Sequence, residues 1–267
     1  MIKAKNMGRR KNERGFTLVE LAIVMVIIGL LIGGILKGQE LIGSAQLTAT
    51  VAQIKGLDAA ITTFRDQYNS LPGDLANAED RLPNCTAAPC NSAPTGPTLS
   101  NGQITGDPGA MPTANSEPAA VFSQLAAADL ISGVNIIADT AAINVNDELP
   151  AGKLSGTGFF IGYAGNAADI TGLLGTTTIR GGHYLGLGTG IDDMGANGAG
   201  AQALSAAQAA RIDLKLDDGR PNSGTVRAGG VGTGGGAGSC ITSATNTGIY
   251  NEAQSTNDCA VFIRIQG

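Results

Sequence analysis

Two hydrophobic patterns follow one another along the first part of the chain. Residues 16–36 read FTLVELAIVMVIIGLLIGGIL, 21 positions that are apolar, small or hydroxylated except for Glu20. That length matches the ~20 residues an α-helix needs to cross hydrocarbon. Beyond Lys37 the apolar positions thin to a single stripe. Leu47, Val51, Ile54, Leu57, Ile61, Phe64 and Tyr68 recur every three or four residues, with Gln46, Gln53, Lys55, Thr62 and Arg65 between them. Leu71-Pro72-Gly73 closes the run. The pattern predicts one helix of ~55 residues, ~80 Å long at 1.5 Å per residue. Its first half is apolar all round and its second half amphipathic. The stripe is short and lacks heptads, which favours packing on a head over a free coiled coil.

Further along, the signals shorten. Residues 73–117 are rich in Pro, Gly, Asn, Ala and Thr and read as a long surface loop. Ser116-Glu117-Pro118 reads as the cap and first turn of a helix, with Val121, Phe122, Leu125, Ala128 and Leu130 along one side, ending at Ser132-Gly133. Residues 158–163, 183–187 and 260–265 have strand chemistry, and 206–212 fit another helical turn or two.

Charge changes the picture at the N-terminus. Six of the seventeen Lys and Arg precede Phe16, against one of the twenty-two acids, so the rest of the chain carries eleven basic and twenty-one acidic residues, a net −10. A body so acidic, without a Lys/Arg run, offers no face to nucleic acid. The basic cluster ahead of the apolar segment keeps the N-terminus cytoplasmic and exports the body. The four cysteines fall as Cys85/Cys90 and Cys240/Cys259. In an exported domain an even count points to disulfides. Three connectivities are open; pairing near neighbours closes the shortest loops and is preferred.

Glu20 needs a separate account. A carboxylate in a spanning segment costs about 2.5–3.5 kcal/mol at the helix centre, and the nearest cation in the sequence is Arg14, across Gly15. Cleavage between Gly15 and Phe16 creates an α-amino group at Phe16, and Glu20 becomes the fifth residue of the mature helix. A neighbouring subunit shifted along the axis then brings its Glu20 to that amine, and the two charges neutralise each other.

The run Gly15-Phe16-Thr17-Leu18-Val19-Glu20 behind a basic leader resembles the class III signal of type IV pilins and type II secretion pseudopilins. The resemblance covers about the first 40 residues. It implies a structural subunit and not an enzyme, with no catalytic residue. Prepilin peptidase cuts after Gly15, Phe16 is N-methylated, and Glu20 aligns subunits in a filament. The implied partners are other pilin or pseudopilin subunits, the prepilin peptidase/N-methyltransferase and an inner-membrane assembly platform. The implied location is the bacterial inner membrane, single-pass with a periplasmic head, and then the filament. Met7 is an alternative start. Gly29/Gly33 and Gly34/Gly38 give small-xxx-small spacings that permit close helix approach.

The implied architecture is α+β: the long N-terminal helix packed on a small antiparallel-sheet head with long Gly-rich loops and a disulfide-closed segment near the C-terminus. The divisions are leader 1–15, membrane and assembly helix 16–37, amphipathic helix 38–71 and head 72–267. The competing reading is a membrane-tethered ligand-binding or enzymatic domain, which has no use for Glu20.

Three features of the head invite chemistry. Gly230, Gly232 and Gly235 satisfy a G-x-G-x-x-G pattern, but in a glycine run with no strand before it the match is automatic. His183 is the only histidine, too few for the usual His-based metal or triad sites. Asp213, Asp217 and Asp218 lie close together before Gly219-Arg220-Pro221, with Asp192-Asp193 as a second acidic pair. They are a candidate calcium set, weighed against an ordinary Asp-Asp-Gly turn with Asp213 paired to a nearby Arg or Lys. No other cofactor is expected. Asn84-Cys85-Thr86 fits a glycosylation acceptor by chance.

Overall fold

A computed structural model describes residues 17–92, 100–109, 111–137, 143–165, 180–189, 204–230, 240–243, 248–254, 257 and 259–265. The chain divides into two units, Met1–Ala45 and Gln46–Gly267.

Helix α1 spans Leu18–Tyr68, 51 residues, and runs through both. In the first unit its apolar side chains are exposed from Leu18 to Ile42. In the second unit Leu47, Val51, Ile54, Leu57, Ile61 and Phe64 are buried at the spacing of one helix face, joined by Thr50 and Ala60. Thr50 ties its hydroxyl to the Gln46 carbonyl at 2.9 Å, so a polar residue is carried into that face at little cost. The helix ends at Tyr68, three residues before Leu71.

The head, in the second unit, is α+β. Strands β1 (Gly158–Ala164), β2 (Gly182–Gly188), β3 (Val226–Gly229) and β4 (Ala260–Arg264) form one antiparallel sheet in the order β1-β2-β4-β3. Alternation sorts their side chains. Phe159, Ile161, Leu185, Leu187, Val261, Ile263, Val226 and Ala228 share one face. Phe160, Gly186, Phe262 and Arg227 form a row across the other, next to a row of Gly162, Tyr184 and Arg264. The buried stripe of α1 and the strands' apolar residues belong to one hydrophobic cluster. The described residues also form helices α2 (Ala78–Arg81), α3 (Glu117–Ala127) and α4 (Ala206–Leu216). Helix α3 packs against β1 and α4 against β3. Helix α4 starts with a capping box, Ser205 and Gln208 each bonding the other's backbone N–H.

Four expectations change. The described part of residues 73–117 is not a surface loop: Leu75, Leu82, Cys85, Cys90 and Ile104 are all buried in the cluster. Helix α3 is buried all round instead of along one side, including Glu117 and Gln124, and it ends at Ala127. Helix α4 runs to Leu216, past the turn or two expected. A strand does precede the glycine run, since β3 reaches into its first residues.

The buried loop has a physical basis in its hydrogen bonds. Asp74 accepts from the N–H groups of Asn101 and Gly102, the Asn101 side chain from Gln103, His183 Nε2 from Ile104 at 3.1 Å, and Glu117 from Thr105 at 2.5 Å. Five successive backbone donors are thus satisfied by side chains, which fixes this irregular stretch while Ile104 alone among the five is buried. It then turns round the free edge of β1, where Tyr163 N–H donates to the carbonyls of Ile104 and Gly106. Its backbone crosses Gly162 and Gly186, where a β-carbon would lie 2.2 Å from the Gly106 oxygen and 2.5 Å from the Pro108 oxygen. Only glycine fits there.

Candidate functional site

His183 is in β2, 5 % exposed, with its ring edge-on to Tyr163 at 5.3 Å. Its Nε2 accepts from Ile104, so it is the neutral tautomer with the proton on Nδ1. Burial holds its pKa down at about 4. It is a structural acceptor that positions the loop.

Asp213, on α4, is fully buried. It accepts from the Tyr250 hydroxyl at 2.7 Å and the Gly219 N–H at 3.2 Å, not from an Arg or Lys. Burial pushes its carboxyl up to about 7, and the Tyr250 phenol is pushed up as well. One ligand atom each from Asp213, Asp217 and Asp218 lies within 4.8 Å of the others. Asp217 Oδ2 takes the N–H groups of Thr225 and Val226, while Asp218 takes the Arg220 N–H on Oδ1 and the Ser223 hydroxyl on Oδ2. Five of the six oxygens therefore already accept a hydrogen bond. As folded, the residues make a carboxylate-closed turn. Gly224 belongs to it: at φ +69°, a β-carbon there would collide with the Asp217 carboxylate.

The cysteines pair as Cys85–Cys90 and Cys240–Cys259, five and nineteen residues apart. The Asp192-Asp193 pair and most of the glycine run, 231–239, lie outside the described residues.

At the N-terminus, α1 carries an 18-residue window of mean hydropathy 2.7, long and apolar enough to cross a membrane. Leu18, Val26 and Leu30 are 85 %, 69 % and 76 % exposed. Glu20 sits in the first turn and is not bare. Its Oε2 accepts the Thr17 N–H and hydroxyl, each at 2.9 Å, and Thr17 Oγ1 accepts the Glu20 N–H at 3.3 Å. This reciprocal pair is a capping box that satisfies first-turn donors and places a negative charge at the positive end of the helix dipole. The sequence carried its signature, Thr17-Leu18-Val19-Glu20, which reading Glu20 only as an unpaired acid in lipid overlooked.

Residues 10–36 match the family model described as the prokaryotic N-terminal methylation motif. The chain carries the prepilin-type signal. It is the signal of type IV pilin and pseudopilin precursors, so processing by prepilin peptidase and assembly with other pilin subunits are implied. No curated protein and no solved structure matches the chain. Gly15 and Phe16 lie inside the matched span but outside the described residues; Glu20 lies inside both.

Proposed function

We propose that the chain is a structural subunit of a type IV pilus or type II secretion pseudopilus. It is cut between Gly15 and Phe16, N-methylated at Phe16 and assembled through its N-terminal helix. One observation carries this reading. The methylation motif matches residues 10–36, and cleavage after Gly15 makes the ionisable Glu20 the fifth residue of a helix that is otherwise apolar and exposed. Before assembly, the Thr17 capping box reduces the cost of holding that carboxylate in the bilayer. After cleavage, the amine of Phe16 on an adjoining subunit supplies the opposite charge, and a low-dielectric surrounding strengthens the pair. The exposed apolar half of α1 then packs against equivalent helices, with Gly29/Gly33 and Gly34/Gly38 allowing close approach. The subunit sits first in the inner membrane with its head in the periplasm, and its partners are sister subunits, the peptidase/methyltransferase and the assembly platform.

Glu20→Ala separates a filament subunit from a tethered domain. The variant is expected to reach the membrane and fold its head, yet to disappear from sheared filaments by at least tenfold. Wild-type levels in the filament fraction would refute the charge-pairing role.

A further inference from the structure

The second face of the sheet ends in a group of cations that meets no counter-charge among the described residues. Arg227 on β3 stands opposite Phe262, and Arg264 lies two positions along β4 on the same face, a diagonal pair whose β-carbons are typically ~7–8 Å apart. Tyr184 of β2 pairs directly with Arg264 and donates its hydroxyl to the Arg180 carbonyl at 2.7 Å. Arg264 is exposed and stretches over Gly182, where a β-carbon would come within 2.7 Å of its Nε, and it gives Nη2 to the Gly181 carbonyl. Arg180 is exposed too. Arg227 is only 8 % exposed, and its Nε and Nη1 make no hydrogen bond.

Among the described residues none of the three arginines forms an ion pair, and the one ion pair joins Lys37 to Glu40. This is in a body of net −10, where carboxylates are not scarce. Burial pushes the Tyr184 phenol up and Arg264, Arg227 and Arg180 pull it back, so all three charges act on one ring.

A guanidinium cannot escape its desolvation cost by losing a proton. A buried, unpaired one is strongly destabilising, and an apolar residue of similar volume is usually better tolerated. Arg264, diagonal to Arg227 on the same face, adds repulsion. An oxyanion removes both penalties, because its oxygens accept from several guanidinium groups at once.

We propose that Arg180, Arg227 and Arg264 form an oxyanion-binding site beside Tyr184, with Arg264 and Arg180 facing solvent and Arg227 as its buried member. The ligand is a carboxylate or phosphate group, either free or carried by a second copy of this acidic chain. The site does not depend on how the N-terminal segment is processed.

The test uses the full chain in detergent micelles, titrated with inorganic phosphate against chloride at equal ionic strength. Calorimetry is expected to show saturable phosphate binding, weakened at least tenfold in Arg180→Gln/Arg264→Gln, whose exposed positions leave folding intact. Arg227→Met is expected to melt higher than wild type in chloride and to gain nothing from phosphate. Sedimentation separates the two sources of the ligand. Binding without change in self-association assigns a free anion, whereas association dispersed both by phosphate and by Arg264→Gln assigns the carboxylate of a second copy. The proposal falls if phosphate gives the same response in wild type and the double variant. It falls equally if phosphate gives no response and self-association is indifferent to Arg264→Gln.

Discussion

Leu31 and Leu57 belong to the same helix, but Leu31 is 57 % exposed and Leu57 is 5 % exposed. Around Leu57 the other faces carry Lys55, Thr62 and Arg65, so water is acceptable on one side and a core on the other. Around Leu31 every face is apolar, and among the described residues of its unit nothing covers it. An apolar surface of that extent marks a membrane or a protein interface. One continuous α1 therefore meets two solvents, and the change comes where the apolar pattern narrows from the whole circumference to a stripe.

The largest test of that contrast is a matched pair of truncations. Leu57→Ala is expected to cost the head ~2–5 kcal/mol, as buried leucines do. Leu31→Ala is expected to change head stability by no more than ~0.5 kcal/mol. Urea unfolding of each variant in micelles, followed by head signals, measures both, and equal losses would erase the distinction.

A smaller effect sharpens the account of the buried loop. His183 is held neutral, with its pKa lowered from 6.5 to about 4. A base depressed in the folded state contributes stability above pH 6.5, and that contribution is lost as pH falls towards 4. His183→Gln keeps an acceptor for Ile104 but cannot titrate. Wild type is expected to lose ~1–3 kcal/mol more than this variant between pH 7 and 4. Parallel pH profiles of melting temperature would remove His183 from the loop's support.

The smallest expected effect is none. Because donors already occupy the Asp213–Asp217–Asp218 turn, millimolar calcium is expected to leave the melting temperature unchanged. A saturable rise that Asp217→Ala/Asp218→Ala abolishes would restore a cation site.

What could be read from the sequence followed the range of the interactions. Helix α1, the start of α3 and strands β1, β2 and β4 all announce themselves by periodicity or by short apolar runs. Strand β3 does not: Val-Arg-Ala-Gly has little strand character, and it is held by β4 more than thirty residues away. The same limit hid the loop's burial, since its Pro, Gly and Asn content reads as solvent-facing. Only the fold brings Asp74, His183 and Glu117 to its N–H groups. Gly162 and Gly186, inside β1 and β2, are the floor on which that loop lies. At the site, Glu20 was conspicuous from composition alone, whereas the unpaired Arg227 needed the sheet register to be seen.

The most direct test is intact-mass and N-terminal analysis of the membrane-extracted protein from cells that possess the processing peptidase. The expected product begins at N-methylated Phe16 and lacks residues 1–15. Full-length protein with those residues attached would contradict the account, because the amine that Glu20 is meant to neutralise would never exist.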